Sequence, residues 1–166
     1  MVGLTRSQEK LPVLRALGVE GVVCDVYDYE DLLSVAQKVR PHIVVNFLTA
    51  LSSGTGDANN RVRREGGANL VNAAMAAEAR RLVVASVYFD LEGTAADAVE
   101  RMERTALNAP LDVLILRFAR FWGRGTWYRE PPDSEAVHID QAGARAAQLV
   151  TSAPPGAYVI ASELHA

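Results

Sequence analysis

The chain has one cysteine, three histidines and no apolar run approaching the length of a membrane span. A single cysteine cannot close an internal disulfide. In Val22-Val23-Cys24 it reads as a core thiol rather than a nucleophile. The histidines are scattered, so with that cysteine they offer no metal-ligand spacing. No segment reaches the ~20 apolar residues of a transmembrane helix. Met1 to Lys10 lacks the apolar core of a signal peptide, so cytoplasmic residence is the expectation. Strong charge of either sign is missing too. A formal net charge of -3 and a pI near 5.6 supply no electrostatic attraction to nucleic acid or to an anionic membrane surface. Internal repeats, low-complexity tracts and linkers are also absent.

What is present is an ordinary globular balance. Hydrophobic residues make up 49% and charged residues 22% of 166 positions, which fits a single domain over 1–166 with a substantial core. The most informative stretch is Arg81-Leu82-Val83-Val84-Ala85-Ser86-Val87-Tyr88-Phe89. Its uninterrupted apolar run predicts a strand buried on both faces. Its polar end falls where open α/β sheets bind ligands. Other strands are expected at Val2–Thr5, Gly21–Val26, His42–Phe47, Asp112–Phe118 and Ala157–Ile160. Between them, helices are expected from Ser7 to Leu17, from Asp28 to Pro41, over about 60–79, over 94–108 and over 140–151. Ser52 to Asn60 reads as a polar loop, and 119–137 as a loop rich in aromatic, Gly, Pro and Arg residues. Strands that alternate with helices require crossover connections. The economical architecture is a parallel sheet with helices on both faces.

Several of these stretches, in order, resemble the extended short-chain dehydrogenase/reductase family, the NAD-dependent epimerase/dehydratases. Val2-Gly3-Leu4-Thr5-Arg6-Ser7 is similar to the family's second strand, and Val23-Cys24-Asp25-Val26 to its third. Arg40-Pro41-His42-Ile43-Val44-Val45-Asn46 is similar to the approach of the fourth. Glu65-Gly66-Gly67-Ala68-Asn69-Leu70-Val71-Asn72-Ala73-Ala74 resembles the pattern Gly-Thr-x-Asn-Leu-hydrophobic-x-Ala. Leu116-Arg117-Phe118 through Gly123-Arg124-Gly125-Thr126-Trp127-Tyr128 resembles the Leu-Arg-Phe/Tyr and Gly-Pro-Gly-Thr segments. Val137-His138-Ile139-Asp140 resembles Val-His-Val-Asp-Asp. The resemblance implies a Rossmann-like α/β fold and a small-molecule substrate. It implies NAD(P) as cofactor, with Arg6 and Asp25 at its adenosine end, and a homodimer through the helices at 60–79 and 94–108.

The departures bear on function. The family opens with a strand and Gly-x-x-Gly-x-x-Gly, whose glycines let backbone approach the pyrophosphate. The expectation is an incomplete sheet lacking that first βα unit, and Gly54-x-Gly56 is no substitute. The family's Tyr-x-x-x-Lys should fall near Ala95-Ala96-Asp97-Ala98-Val99, which has neither residue, and Arg124 replaces the usual proline of its loop. The family's strand order leaves an empty position between the strands at Val2 and His42. These strands pair directly, or another chain fills the position, or the natural N-terminus lies upstream.

Ser86 matches the family's serine, as a donor to substrate or a strand end bonding nearby backbone. Tyr88 is a second catalytic candidate, or a half-buried aromatic. His138 is the third, oriented by Asp140, unless Asp140 is the helix N-cap. His42 is expected at the wrong end of the sheet, and His165 is terminal. Arg117, Arg124, Trp127 and Tyr128 are candidates for gripping an anionic or aromatic substrate. Three functions stay open: a degenerate epimerase/dehydratase relative without ordinary hydride transfer, a non-redox isomerase, lyase or cyclase in the same cleft, or a non-catalytic binding or assembly subunit.

Overall fold

A computed structural model of the chain describes residues 1–50 and 56–162. Its central sheet has four parallel strands in the order β3 (Ile43–Asn46), β4 (Arg81–Val87), β5 (Asp112–Phe118) and β8 (Gly156–Ile160). A separate parallel pair, β1 (Val2–Thr5) and β2 (Glu20–Val23), lies on the far side of β3. A two-stranded ribbon, β6 (Arg120–Trp122) with β7 (Ala136–His138), follows β5. This ribbon lies at both ends of the stretch whose composition had suggested only loop.

The register of β4 on β5 explains the core. It pairs Leu82 with Val113 and Val84 with Ile115, and on the alternate positions Val83 with Leu114 and Ala85 with Leu116. Side chains alternate between faces along a strand, so each set covers one side of the sheet. The first set packs against Val71 of α4 (Gly67–Ala76) and against Met102 and Ala106 of α5 (Gly93–Leu107). The second packs against Ala142, Ala146 and Leu149 of α6 (Ile139–Ser152). Helices on both faces leave Leu82, Leu114, Ile115 and Leu116 wholly buried, the reason their run shows no polar alternation.

Element starts follow local chemistry. Asp28 caps α2 (Tyr29–Val39), its carboxylate accepting the Asp31 backbone N–H at 3.1 Å. Arg40 ends that helix in the left-handed region, just before Pro41. The first expected helix begins later than the sequence suggested: a 3₁₀ turn, Gln8–Lys10, precedes α1 (Leu11–Ala16), with Pro12 in its first turn. The long helix expected near 60–79 is helical from Gly56, with α3 (Gly56–Arg61), a π-helical turn over Val62–Gly66 and then α4. A Cβ on Gly66 would lie 2.9 Å from Val26 Cγ1, so the absence of a side chain sets this close approach. Of the polar loop expected over Ser52 to Asn60, residues 52–55 lie outside the described residues and 56–60 are helix instead.

The sheet is interrupted between β1 and β3, as the resemblance implied. No described strand pairs with the second edge of β1 or of β3. A cavity of about 660 Å³ separates them, lined by Val2 and Leu4 on one side and by Ile43 and Val45 on the other.

Candidate functional site

The C-terminal ends of β4 and β5 hold a buried polar network. Register sets Ser86 directly opposite Arg117, side by side on the face covered by α5. Glu103 of α5 is buried against that face. The Ser86 hydroxyl donates to Glu103 Oε1 at 2.5 Å. Arg117 donates to the same carboxylate twice, from Nε at 3.1 Å and from Nη2 at 2.5 Å. The result is a bidentate, charge-assisted pair with a serine as third member. Burial by itself would raise the pKa of Glu103. The hydrogen bonds from Arg117 and Ser86, with the charge of Arg117, outweigh burial and hold the carboxyl below the usual carboxylate range. The same contact raises the pKa of Arg117.

Sequence reasoning missed Glu103. A carboxylate in an amphipathic helix reads as solvated. The available signal was positional: it follows Met102 and precedes Ala106 by three, at the margin of the apolar stripe.

Tyr88 lies one residue past β4. Its backbone N–H donates to the Phe118 carbonyl at 2.7 Å, and its side chain is 38% exposed. Around it the rim is aromatic. Phe118 meets Phe47 edge-on and Phe121 at a tilt, with ring centroids at 5.8 and 5.2 Å. Arg120 sits over the Phe89 ring at 4.4 Å. The structure binds Arg117 to Glu103 and leaves Arg124 exposed, so the two do not form one clamp. Trp127 is 91% exposed, whereas Tyr128 bridges to Trp122 and accepts the Gly123 N–H at 2.9 Å through its carbonyl. Thr126 ties the turn, its hydroxyl within 2.9 Å of the Gly123 carbonyl and 2.8 Å of that of Tyr128.

His138, not Asp140, is the N-cap of α6. Its Nδ1 accepts the Asp140 N–H at 3.4 Å, and the Asp140 carboxylate lies 3.7 Å away. The register of β6 on β7 pairs His138 with Trp122, whose ring meets the imidazole edge-on at 4.5 Å. Gly123 closes over the other ring nitrogen: a Cβ there would lie 2.7 Å from His138 Nε2, and its φ is +115°. Alanine at 123 therefore strains the backbone and pushes the imidazole out of place. We expect Gly123→Ala to cost about 2 kcal/mol and to shift Trp122 fluorescence, read together in denaturant titration. An unchanged midpoint would show that the ribbon is free to relax.

Of the two remaining candidates, Arg6 lines the cavity between β1 and β3 and Asp25 follows β2. Arg6 is exposed just past β1. Asp25 turns inward locally, its carboxylate accepting the Tyr27 N–H at 3.0 Å. Arg61 covers the Tyr27 ring at 4.0 Å while it pairs with Glu65. Cys24 is buried beneath. Burial, reinforced by a hydrogen bond with Asp31 and by the carboxylates of Asp31, Asp25 and Asp28, pushes its thiol up to about 12, as suits an inert core residue. His42 precedes β3 at the N-terminal end of the sheet, and His165 lies outside the described residues. Among the described residues, no three His, Cys, Asp or Glu side chains are grouped to hold a metal ion, and no helix is long and apolar enough to cross a membrane.

These residues fit only part of a nicotinamide dinucleotide. Of the residues expected at the adenosine end, Arg6 lines the cavity, as does Tyr27, while the Asp25 carboxylate is engaged by the Tyr27 N–H. The turns after β1, β2 and β4 carry no run of glycines through which backbone could reach a pyrophosphate. The described residues therefore lack a phosphate cradle for the cofactor.

No family model matches the chain. It is 36% identical over 135 residues to a 3-diazoavenalumate denitrifying reductase from a Streptomyces species, an alignment covering 64% of this chain and 44% of that protein. The chain thus spans less than half the length of this relative. Among solved structures, the Bordetella bronchiseptica enzyme WbmG in complex with NAD superposes with a TM-score of 0.76 at 14% identity, over 96% of this chain and 64% of that one. The Thermus thermophilus UDP-glucose 4-epimerase complex with NAD gives 0.70 at 16% identity, over 98% of this chain and 78% of that one. The Bacillus anthracis dTDP-4-dehydrorhamnose reductase with NADP gives 0.71 at 12%, over 97% and 74%. This chain has the Rossmann-like fold of NAD(P)-bound epimerases and reductases, over 64–78% of their length.

Proposed function

We propose that the C-terminal rim of the sheet binds a small planar or aromatic molecule, and that these 166 residues alone do not carry out ordinary hydride transfer. The chain is on this reading a degenerate relative of NAD(P)-dependent epimerases, dehydratases and reductases. The carrying observation is the commitment of Ser86. Its hydroxyl is held on Glu103 within a partly buried ion pair, and the stretch where a tyrosine acid/base and its lysine would stand reads Ala95-Ala96-Asp97-Ala98-Val99. A bound nicotinamide would supply a hydride, but chemistry on a substrate oxygen also needs a proton donor of matched pKa beside it. The binding half of the reading rests on the exposed rings of Phe47, Tyr88, Phe121 and Trp127 around one rim, an arrangement suited to stacking.

The test is calorimetric titration of the chain with NAD, NADP and their reduced forms, with nicotinamide absorbance followed alongside a panel of aromatic aldehydes, ketones and diazonium salts. We expect no saturable cofactor binding below roughly 1 mM, a free energy of only about -4 kcal/mol. No cofactor oxidation is expected, while an aromatic probe should quench Trp127. Micromolar cofactor affinity or steady turnover overturns the loss of hydride transfer. Absence of any quenching overturns the aromatic site.

A further inference from the structure

We propose that the molecule bound at the rim is an aromatic carboxylate, and that Arg120, held flat on the Phe89 ring, receives its anionic end. The inference rests on the aromatic reading of that rim and names the charge its ligand carries.

Strand parity brings the two residues together. The β4–β5 ladder closes on the pair Val87 and Phe118. Phe89 and Arg120 each stand two positions further on, so both continue the face of the sheet that α6 covers. Arg120 is fixed there at backbone and side chain. Its backbone N–H donates to the Glu135 carbonyl at 3.2 Å and it pairs with Ala136 of β7, while its guanidinium carbon lies 4.4 Å from the centre of the Phe89 ring. The same end of the sheet is otherwise aromatic, with Phe118 meeting Phe47 and Phe121.

What sets Arg120 apart is the anion it lacks. Arg61 also lies over a ring, that of Tyr27, but pairs with Glu65. Arg117 pairs with Glu103, Arg104 with Glu100 and Arg40 with Glu78. Among the described residues Arg120 pairs with no carboxylate. Glu135 meets it through its backbone carbonyl. Glu103 serves the opposite face of the sheet, where Ser86 and Arg117 occupy it.

A guanidinium stacked on a ring keeps its charge and its in-plane N–H groups. The ring covers one face and leaves the edge of the fork to a carboxylate. Arg117 is the poorer receptor, because Glu103 already neutralises it. Arg124 is exposed and lies over no ring among the described residues, so binding there must first order a long side chain. One guanidinium matches the single charge of a carboxylate. A phosphate dianion asks for further donors, and the turn after β4 has no run of glycines to present them.

The experiment compares naphthoate with its neutral amide, which has the same ring system, by calorimetric titration of the chain at neutral pH. We expect the acid to bind about tenfold or more tightly than the amide. Arg120→Met should bring that ratio to about one, and Phe89→Leu should lower it about threefold by removing the ring contact. Arg120→Lys keeps the charge without the planar fork and should retain part of the ratio. Arg124→Met should leave it in place, and salt should weaken the acid while sparing the amide. A ratio near one in the unaltered chain overturns the proposal and leaves an aromatic site standing. Binding of neither probe overturns the aromatic site, and this inference with it. A ratio that survives Arg120→Met, or that collapses in Arg124→Met, overturns the assignment to Arg120. Equal losses in the lysine and methionine variants overturn it as well, since the effect would then lie in packing rather than in charge.

Discussion

Arg117→Met lowers stability by about 2 kcal/mol at neutral pH, and the deficit shrinks on acidification. Breaking a buried ion pair by removing one partner costs ~3–5 kcal/mol, because the surviving charge stays in a poor dielectric. Here Arg117 is 42% exposed along its side chain and Glu103 only 12%, so water screens part of that loss and the lower figure applies. The pH dependence follows from the sign of the Glu103 shift. Its folded pKa lies below the ordinary value, so its ionised form contributes stability above the unfolded pKa, and that contribution fades as pH falls through the folded one. Without Arg117, burial dominates and reverses the shift. The variant then loses stability as pH rises through its new, higher value. Wild type and variant should converge only below the ordinary carboxylate range, where Glu103 is protonated in both. Urea midpoints from acid to neutral pH check this. A gap independent of pH would mean that Arg117 acts by packing its stem rather than by charge.

A second pair of substitutions separates filled from unfilled sheet. Leu114→Ala should cost about 3–4 kcal/mol, since its side chain is fully buried between β4, β8 and α6 and a cavity would remain. Val45→Lys, on an equally regular strand two places away in the sheet, should change stability by less than about 0.5 kcal/mol. The difference does not come from residue type or strand propensity. It comes from the absent neighbour: a lysine stem lies along the open cavity with its ammonium in water. A Val45→Lys penalty as large as that of Leu114→Ala would show β1 and β3 closed on each other in solution.

Much of the fold was legible because it depends on local pattern. The Leu82–Val84 run, the Asp28 cap, the Arg40-Pro41 stop and the crossover rule act over a few residues each. The ribbon of β6 and β7 escaped notice because its short strands are joined through a Gly- and Pro-rich segment, and only their pairing makes them strands. At α6 the pattern misled. Asp140 is a common capping type, yet tertiary packing of His138 against Trp122 and Gly123 moves the helix start two residues earlier. For the site, Ser86 was readable as a polar residue ending a buried strand. Its partner was not: Glu103 stands 17 positions on, in a helix whose other carboxylates are solvated, and no local rule distinguishes it.

By itself the sequence determined the principal strands and helices, that the sheet is parallel, and that its polar rim carries Ser86 and an aromatic loop. Those follow from periodicity and short-range sterics, which each segment carries alone. Only the tertiary structure decided that Ser86 and Arg117 converge on one carboxylate, that His138 caps a helix, and that β1 and β3 face each other across an apolar gap. Convergence depends on strand register and helix placement, quantities set by packing between segments distant in the chain. The gap between β1 and β3 is the clearest case: each edge reads as an ordinary strand, and what marks it is the neighbour it lacks among the described strands.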